Sequence, residues 1–157
     1  MYKKFNITKD RLKFILECSK KIDFIIPSPI KIRCIGWNQE VSKKIAAYII
    51  GHQKIGTYSL PWLHQEYPWS KSNIGDYILH VDFNGEPFAI VQILKLELLS
   101  FKDVNQNHTN LDGPPVRDFK VWKKLHTEYW SKELKVFDRI VTPDMPVVVE
   151  KFKCIFS

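Results

Sequence analysis

Residues 75–99, GDYILHVDFNGEPFAIVQILKLELL, form the stretch of this 157-residue sequence that decides the fold class. From residue 77 to 82 the apolar Tyr77, Leu79 and Val81 alternate with Ile78, His80 and Asp82, which is typical of a β-strand. Asn84-Gly85 follows and is a strong hairpin signal, because both residue types tolerate the positive φ angles of a tight turn. The apolar run 87–99 then predicts a second strand, whose length suggests a bend. The stretch therefore predicts an antiparallel hairpin.

Three segments outside the hairpin have the apolar spacing of amphipathic helices. They cover residues 8–21, 39–52 and 119–131. Asn38 and Asp118 directly precede the second and third segments, and both are favourable N-cap residues. These segments predict three helices.

The remaining segments predict further strands. Two prolines favour an extended stretch over residues 27–34. Residues 54–62 are predicted to form a loop that enters a strand, and residues 146–156 a last strand. Strands interspersed with helices indicate an α+β fold, with a small curled sheet or barrel flanked by helices.

Size and composition predict one domain over residues 1–157. A hydrophobic content of 45% is enough for a packed core. No apolar run reaches the roughly 18 residues of a membrane span, so no membrane contact is expected. The N-terminus lacks the apolar centre of a signal peptide, so the expected location is the cytoplasm. The cysteines and histidines lack the short spacings of a metal site, so neither a metal nor a cofactor is expected.

The charge balance favours a polyanionic partner. Lysine and arginine number 24 against 17 acidic residues, which gives a net charge of +7. A basic domain of this size is attracted to RNA, although solubility alone would also explain the excess. The lysines are dispersed along the chain and do not form a basic tail.

Two short motifs carry the polar groups of a candidate site. Lys54-Ile-Gly-Thr57 follows the second predicted helix, at a junction of the kind where rigid scaffolds display functional groups. Asp112-Gly113 lies in a polar loop before the third predicted helix. Together the motifs supply an amine, a hydroxyl and a carboxylate.

Aromatic residues accompany both motifs. Trp122 and His126 are four residues apart and share a helix face, where we expect Trp122 in the core and leave His126 open between core and cleft. Tyr58 and Trp69 follow the first motif and are candidates to stack on bases, with core packing as the alternative. Ser59 is a further candidate cleft residue.

The order of these motifs resembles that of the ASCH domain family, a branch of the PUA-like β-barrels. The resemblance covers about residues 36–156. Its matching segments are Lys54-Ile-Gly-Thr57-Tyr-Ser59, Gly75-Asp76-Tyr77-Ile78, Phe101-Lys-Asp-Val104, Asp112-Gly113, Trp122-Lys-Lys-Leu-His126 and Met145-Pro-Val-Val-Val-Glu-Lys-Phe152. It implies a PUA-like small β-barrel of about five to six strands flanked by helices. Residues 1–35 lie outside the resemblance, and we expect them to form an N-terminal helical extension packed on the domain.

The resemblance also implies a function. Family members are linked to RNA binding, and some act as hydrolases on acylated cytidine or on RNA. In the nucleoside-amide hydrolases a Lys, a Thr and a Glu cooperate, and the matching positions here are Lys54, Thr57 and Asp112. Position 112 departs from that pattern, because Asp is shorter than Glu by one methylene, or roughly 1.5 Å of reach. A misplacement of about 1 Å can lower a rate on the order of 100-fold.

Three functions therefore remain open. The first is a module that binds RNA or a modified nucleoside in a cleft beside the barrel. The second is a hydrolase, an amidohydrolase or ribonuclease, with Lys54, Thr57 and Asp112 as catalytic residues. The third is a structural or partner-binding domain whose cleft is vestigial. The expected oligomeric state is a monomer or weak dimer. Charge, aromatics and the resemblance favour the first, whose predicted ligand-binding residues are Lys54, Thr57, Tyr58, Ser59, Trp69, Asp112 and His126.

Overall fold

The computed structural model of the protein describes residues 3–157, and this part of the chain has an α+β fold with five strands and five α-helices. The strands are β1 (Lys31–Cys34), β2 (Gly56–Ser59), β3 (Tyr77–Val81), β4 (Pro87–Ser100) and β5 (Pro146–Phe156). The helices are α1 (Lys9–Lys21), α2 (Gln39–Ile50), α3 (Pro61–Glu66), α4 (Gln106–Thr109) and α5 (Phe119–Lys135).

The five strands form one sheet in the order β1-β3-β4-β5-β2. β1 runs parallel to β3, and the other neighbours are antiparallel. The long strand β4 pairs with β3 on one side and with β5 on the other. Its pairing with β5 shifts register after Ile90 and again after Ile93. Such irregularities bend a strand and increase its twist, so the sheet curls into a half-barrel. The predicted fold class is confirmed.

The β3–β4 hairpin is confirmed, with a wider loop than a two-residue turn. β3 ends at Val81 and β4 begins at Pro87. The Asp82 carboxylate accepts hydrogen bonds from the backbone N–H groups of Asn84 and Glu86, at 2.9 and 3.0 Å. Gly85 takes the positive φ, +90°. A carboxylate that satisfies two loop amides stabilises the longer connection.

The three predicted long helices are confirmed, with shifted ends. Thr8, Asn38 and Asp118 cap α1, α2 and α5, each by accepting a backbone N–H bond on its side chain. α5 continues to Lys135, four residues beyond the predicted end at 131.

Two short helices were not predicted. α3 begins at Pro61, directly after β2, where residues 54–62 were expected to continue into a strand. Proline at the first helical position has no N–H to lose, so it starts a helix readily and ends the strand. α4 occupies part of a segment that the sequence predicted to be a loop.

Helix α5 packs over one half of the sheet and fills the larger part of the core. Its residues Trp122, Trp130 and Leu134 are all at most 1% exposed, and they pack with Phe101 and Met145. The expected core position of Trp122 is confirmed. α1 covers a separate cluster through Ile15 and Cys18.

One ion pair links the two halves of the curled sheet. Arg33 lies on the edge strand β1, and its Nη1 donates to Glu150 Oε2 of β5 at 2.7 Å. On the opposite edge strand β2, Ser59 Oγ donates to Glu150 Oε1 at 3.1 Å. The buried Glu150 thus joins both edges of the sheet, and the space that they enclose holds the candidate site.

In residues 3–157, the structure contains no helix with the length and apolar character of a membrane span.

Candidate functional site

A cavity of about 330 Å³ lies between the two sheet edges and helices α2, α3 and α5. Pockets that bind small molecules occupy about 300–1,000 Å³ and are mostly apolar, with a few convergent polar groups. Val41, Ile45 and Tyr129 contribute to the apolar wall. The polar groups come from two clusters, one at Lys54 and one at Arg33.

The first cluster is a buried ion pair. Lys54 Nζ donates to Asp112 Oδ1 at 2.5 Å, and the two side chains are only 6% and 7% exposed. Asp112 Oδ1 also accepts the backbone N–H of Gly113, at 2.7 Å. Asp112 Oδ2 has no hydrogen bond with residues 3–157, so one carboxylate oxygen remains for a ligand.

Backbone contacts hold the two motifs together. The carbonyl of Leu111 accepts the N–H groups of Ile55 and Gly56, at 2.9 and 3.0 Å. A Cβ on Gly56 would lie 2.7 Å from Leu111 Cβ and 2.8 Å from the Glu150 carbonyl oxygen. Such distances are far inside van der Waals contact, so this approach of the two segments requires glycine.

Arg117 also links the segment before Lys54 to the segment that carries Asp112 through hydrogen bonds. Its Nε donates to the Asp112 carbonyl at 2.8 Å, and its Nη2 donates to the Gln53 carbonyl. Gly113 makes a further close approach, since a Cβ there would lie 2.8 Å from Tyr48 Cδ2. Arg117 was not predicted, because a single arginine in a polar loop carries no sequence signal of what it will bind.

The Thr57 side chain lines the same cavity. Thr57 pairs in register with Glu150 on the neighbouring strand β5. No hydrogen bond joins its hydroxyl to any residue between 3 and 157, Lys54 included. The structure therefore brings the amine, hydroxyl and carboxylate to one cavity, with Lys54 directed at Asp112.

His126 is stacked against the core and faces the cavity with its ring. Its ring lies 4.0 Å from that of Trp122, centroid to centroid, with an interplanar angle of 21°. Nδ1 lies 2.9 Å from the Trp122 carbonyl oxygen. A carbonyl only accepts, so Nδ1 is assigned the proton and Nε2 the lone pair in the neutral ring. Burial lowers the pKa of His126 to about 4. This effect is larger than the opposing effects of the Trp122 carbonyl and of Asp112, both of which raise the pKa.

The two candidate stacking residues differ in position. Tyr58 is 9% exposed, its hydroxyl donates to the His108 carbonyl at 2.8 Å, and its ring meets Trp122 edge-on. Burial raises its pKa, and the nearby Asp112 adds to that effect. Trp69 is 37% exposed and lines the cavity. Tyr58 is thus part of the wall, and Trp69 is partly exposed at the cavity.

The second polar cluster surrounds Arg33. Besides Glu150, its guanidinium contacts Ser72 Oγ at 2.6 Å and the Ser70 carbonyl at 3.3 Å. Glu150 is 0% exposed, and Ser59 Oγ donates to it. Ser59 was a predicted cleft residue, whereas Arg33 and Glu150 were missed. A glutamate inside the apolar strand Pro146–Phe156 was the available signal.

His64 on α3 completes this second cluster. It lines the cavity, and its Nε2 is buried without a hydrogen-bond partner in residues 3–157. Burial lowers the pKa of His64, with Glu150 opposing the effect. No group of three or more His, Cys, Asp or Glu side chains in the described residues could hold a metal ion.

Comparison with known proteins identifies the family. A model of the ASCH domain matches residues 33–156. The chain belongs to the ASCH domain family. The match covers both polar clusters of the cavity and leaves helix α1 outside.

Solved structures share the ASCH fold of this chain. An ASCH domain from Lactobacillus crispatus JV V101 has a TM-score of 0.85 and 14% identity, and the match covers 97% of this chain and 98% of that one. A protein from Enterococcus faecalis V583 has a TM-score of 0.76 and 18% identity, with 91% and 88% covered. At these identities the likeness shows the fold alone. A search of curated proteins gave no match.

We predict that His126 makes stability depend on pH between about 6.5 and 4. The unfolded chain protonates this histidine below about 6.5, whereas the folded protein keeps it neutral down to about 4. The unfolded state therefore binds more protons in this window, and stability falls as pH falls. In urea unfolding, the free energy of unfolding of a His126→Gln variant should fall less steeply with falling pH than that of wild type. The difference should be up to about 1.4 kcal/mol per pH unit.

His52→Asn is the matched control, because His52 is exposed and asparagine tolerates its positive φ of 56°. It should retain the wild-type slope. Parallel loss of stability in wild type and His126→Gln would remove His126 from the acid response.

Proposed function

We propose that the cavity binds one base of single-stranded RNA, or a modified nucleoside, at the Lys54–Asp112 ion pair. The observation that carries this proposal is that Asp112 Oδ2, beside a buried ammonium group, has no hydrogen bond within residues 3–157. Family membership supports it, and so does the net charge of +7.

The ion pair complements the hydrogen-bonding edge of an amino-bearing base. Asp112 Oδ2 accepts from an exocyclic amine, and Lys54 uses its remaining N–H bonds toward a ring nitrogen or carbonyl. Cytosine and adenine both present such a donor beside an acceptor. Single-stranded RNA exposes these edges, while duplex RNA conceals them.

The aromatic and apolar surroundings suit the face of a base. Trp69 lines the cavity and is partly exposed, and the Lys4 ammonium lies 5.7 Å from its ring centroid. Stacking on an aromatic ring contributes about 1–3 kcal/mol per base. We therefore assign Trp69 to stacking and Tyr58 to the cavity wall.

The geometry favours recognition over catalysis. A threonine nucleophile needs a base within hydrogen-bond reach of its hydroxyl. Lys54 instead donates to Asp112, and no hydrogen bond joins it to Thr57. The arrangement presents a donor and an acceptor to a ligand, which is what binding alone requires.

We expect Lys54→Met to weaken cytidine binding more than tenfold, since it removes a charged donor from a buried site. Isothermal titration with cytidine measures this change. Asp112→Asn keeps the side-chain shape and the bond from Gly113, and should also weaken binding while the protein stays folded. Lys135→Met, which removes an exposed lysine at the end of α5, is the control and should bind as wild type. Wild-type affinity in both site variants would exclude the ion pair from recognition.

A hydrolase is the second candidate, because the Thr57 hydroxyl shares the cavity with Lys54 and Asp112. In this mechanism the Thr57 oxygen attacks the amide carbonyl of an acylated cytidine, and its proton passes to the amine of Lys54. Lys54 then gives that proton to the departing cytosine amine, and water hydrolyses the acyl-threonine ester. The step requires Lys54 first to give its ammonium proton to Asp112 and to separate from it.

N4-acetylcytidine, followed by chromatography, tests the second candidate. If the hydrolase is correct, Lys54→Ala and Thr57→Val should each lower turnover at least 100-fold, and Lys135→Met should not. Binding of N4-acetylcytidine by the wild type without release of acetate would leave recognition as the function.

We also propose that residues 1–157 form a single domain and that residues 1–35 are an extension packed on it. Helix α1 supports this, because Arg11 donates to the Gly85 carbonyl in the β3–β4 loop at 3.0 and 2.7 Å. Two further predictions remain. We expect the protein to be cytoplasmic, and we expect it to be a monomer or weak dimer.

A further inference from the structure

We infer that the Arg33 cluster is a sugar subsite, in which Arg33, Ser59 and His64 bind the ribose hydroxyls of the nucleoside and select ribose over 2′-deoxyribose. This inference rests on the proposed function, since it assigns the other end of the same cavity.

The Arg33 guanidinium is fixed before any ligand binds. Glu150 and Ser72 hold its Nη1 and Nη2 at 2.7 and 2.6 Å, and its side chain is 21% exposed. Its Nε has no hydrogen bond with residues 3–157, so an oriented donor remains. A donor fixed by neighbouring groups loses little entropy when it binds a ligand.

The remaining groups offer acceptor and donor capacity to a hydroxyl. Ser59 Oγ gives its proton to Glu150 and keeps its lone pairs. His64 Nε2 is buried and unpartnered within the described residues. A buried polar atom without a partner is unfavourable, so a ligand that satisfies it gains affinity. A hydroxyl both donates and accepts, and therefore satisfies Nε2 in either tautomer.

Local charge favours a hydroxyl over a phosphate at this end. Glu150 is 0% exposed and neutralises Arg33, with both oxygens engaged by protein groups. A phosphate would add negative charge next to an ion pair that is already neutral, and the buried Glu150 would repel it because water does not screen the charge there. A neutral, hydrogen-bonding group meets no such repulsion.

The two polar clusters follow one another along residues 54–59, which line the cavity at Lys54, Thr57 and Ser59. Thr57 and Ser59 lie on the same face of β2, and two strand residues span about 7 Å. Lys54 precedes Thr57, so the base-binding pair and the sugar subsite follow one another along this short segment. A nucleoside with its base at Lys54 would place its sugar toward Ser59.

Titration of the full chain with cytidine and with 2′-deoxycytidine tests this inference. We expect wild type to bind cytidine about tenfold more tightly than 2′-deoxycytidine, because one added hydrogen bond to a charged or buried group changes affinity by about this factor. His64→Phe, which keeps a ring of similar shape, should bind both ligands with the affinity that wild type has for 2′-deoxycytidine. Ser59→Ala is a second variant and should reduce the preference as well.

The outcomes separate this inference from the proposed function. Equal binding of the two nucleosides by wild type would overturn the sugar subsite and leave base recognition intact. A tenfold preference retained in folded His64→Phe and Ser59→Ala would also overturn it. Failure of wild type to bind either nucleoside would overturn both proposals.

Discussion

The cavity of this protein depends on a lysine and an aspartate that are both removed from water. Lys54 and Asp112 are less than a tenth exposed and 2.5 Å apart. Desolvation of two such charges opposes folding, and apolar residues of similar volume often replace a buried pair without loss of stability. A chain that needed only a stable core would do as well without the pair. The pair lies on a cavity wall, and one carboxylate oxygen has no hydrogen bond within the described residues, which supports the proposed ligand binding.

The fold brings this pair and a second polar cluster to the same space by curling one sheet. Register shifts bend β4, and Glu150 then contacts residues from both edge strands. Gly56 allows the segment after α2 to lie against Leu111, which sets Lys54 beside Asp112. Strand β2 runs between the two clusters, so a short piece of backbone determines how far apart they are. The recognition that we propose at this site therefore depends on sheet curvature.

The secondary-structure elements that depend on local periodicity and capping could be predicted from the sequence. The hairpin, the long helices and their caps at Asn38 and Asp118 follow from patterns within a few residues. Lys54 and Asp112 were found through motif order. Arg33 was missed because its partner Glu150 lies 117 residues away in the chain and becomes its neighbour only when the sheet closes. Arg117 and His64 were missed because a single arginine or histidine carries no sequence signal of what it will contact. Helix α3 was missed because its six residues are too few to show a helical period.

Urea unfolding of a Lys54→Met, Asp112→Leu double variant, with and without cytidine, tests most directly whether the ion pair serves the ligand or the fold. A binding function predicts that the double variant unfolds with a free energy equal to that of wild type or up to about 4 kcal/mol higher. It also predicts that cytidine raises the unfolding midpoint of wild type only. A double variant that is several kcal/mol less stable than wild type and is still stabilised by cytidine would contradict it.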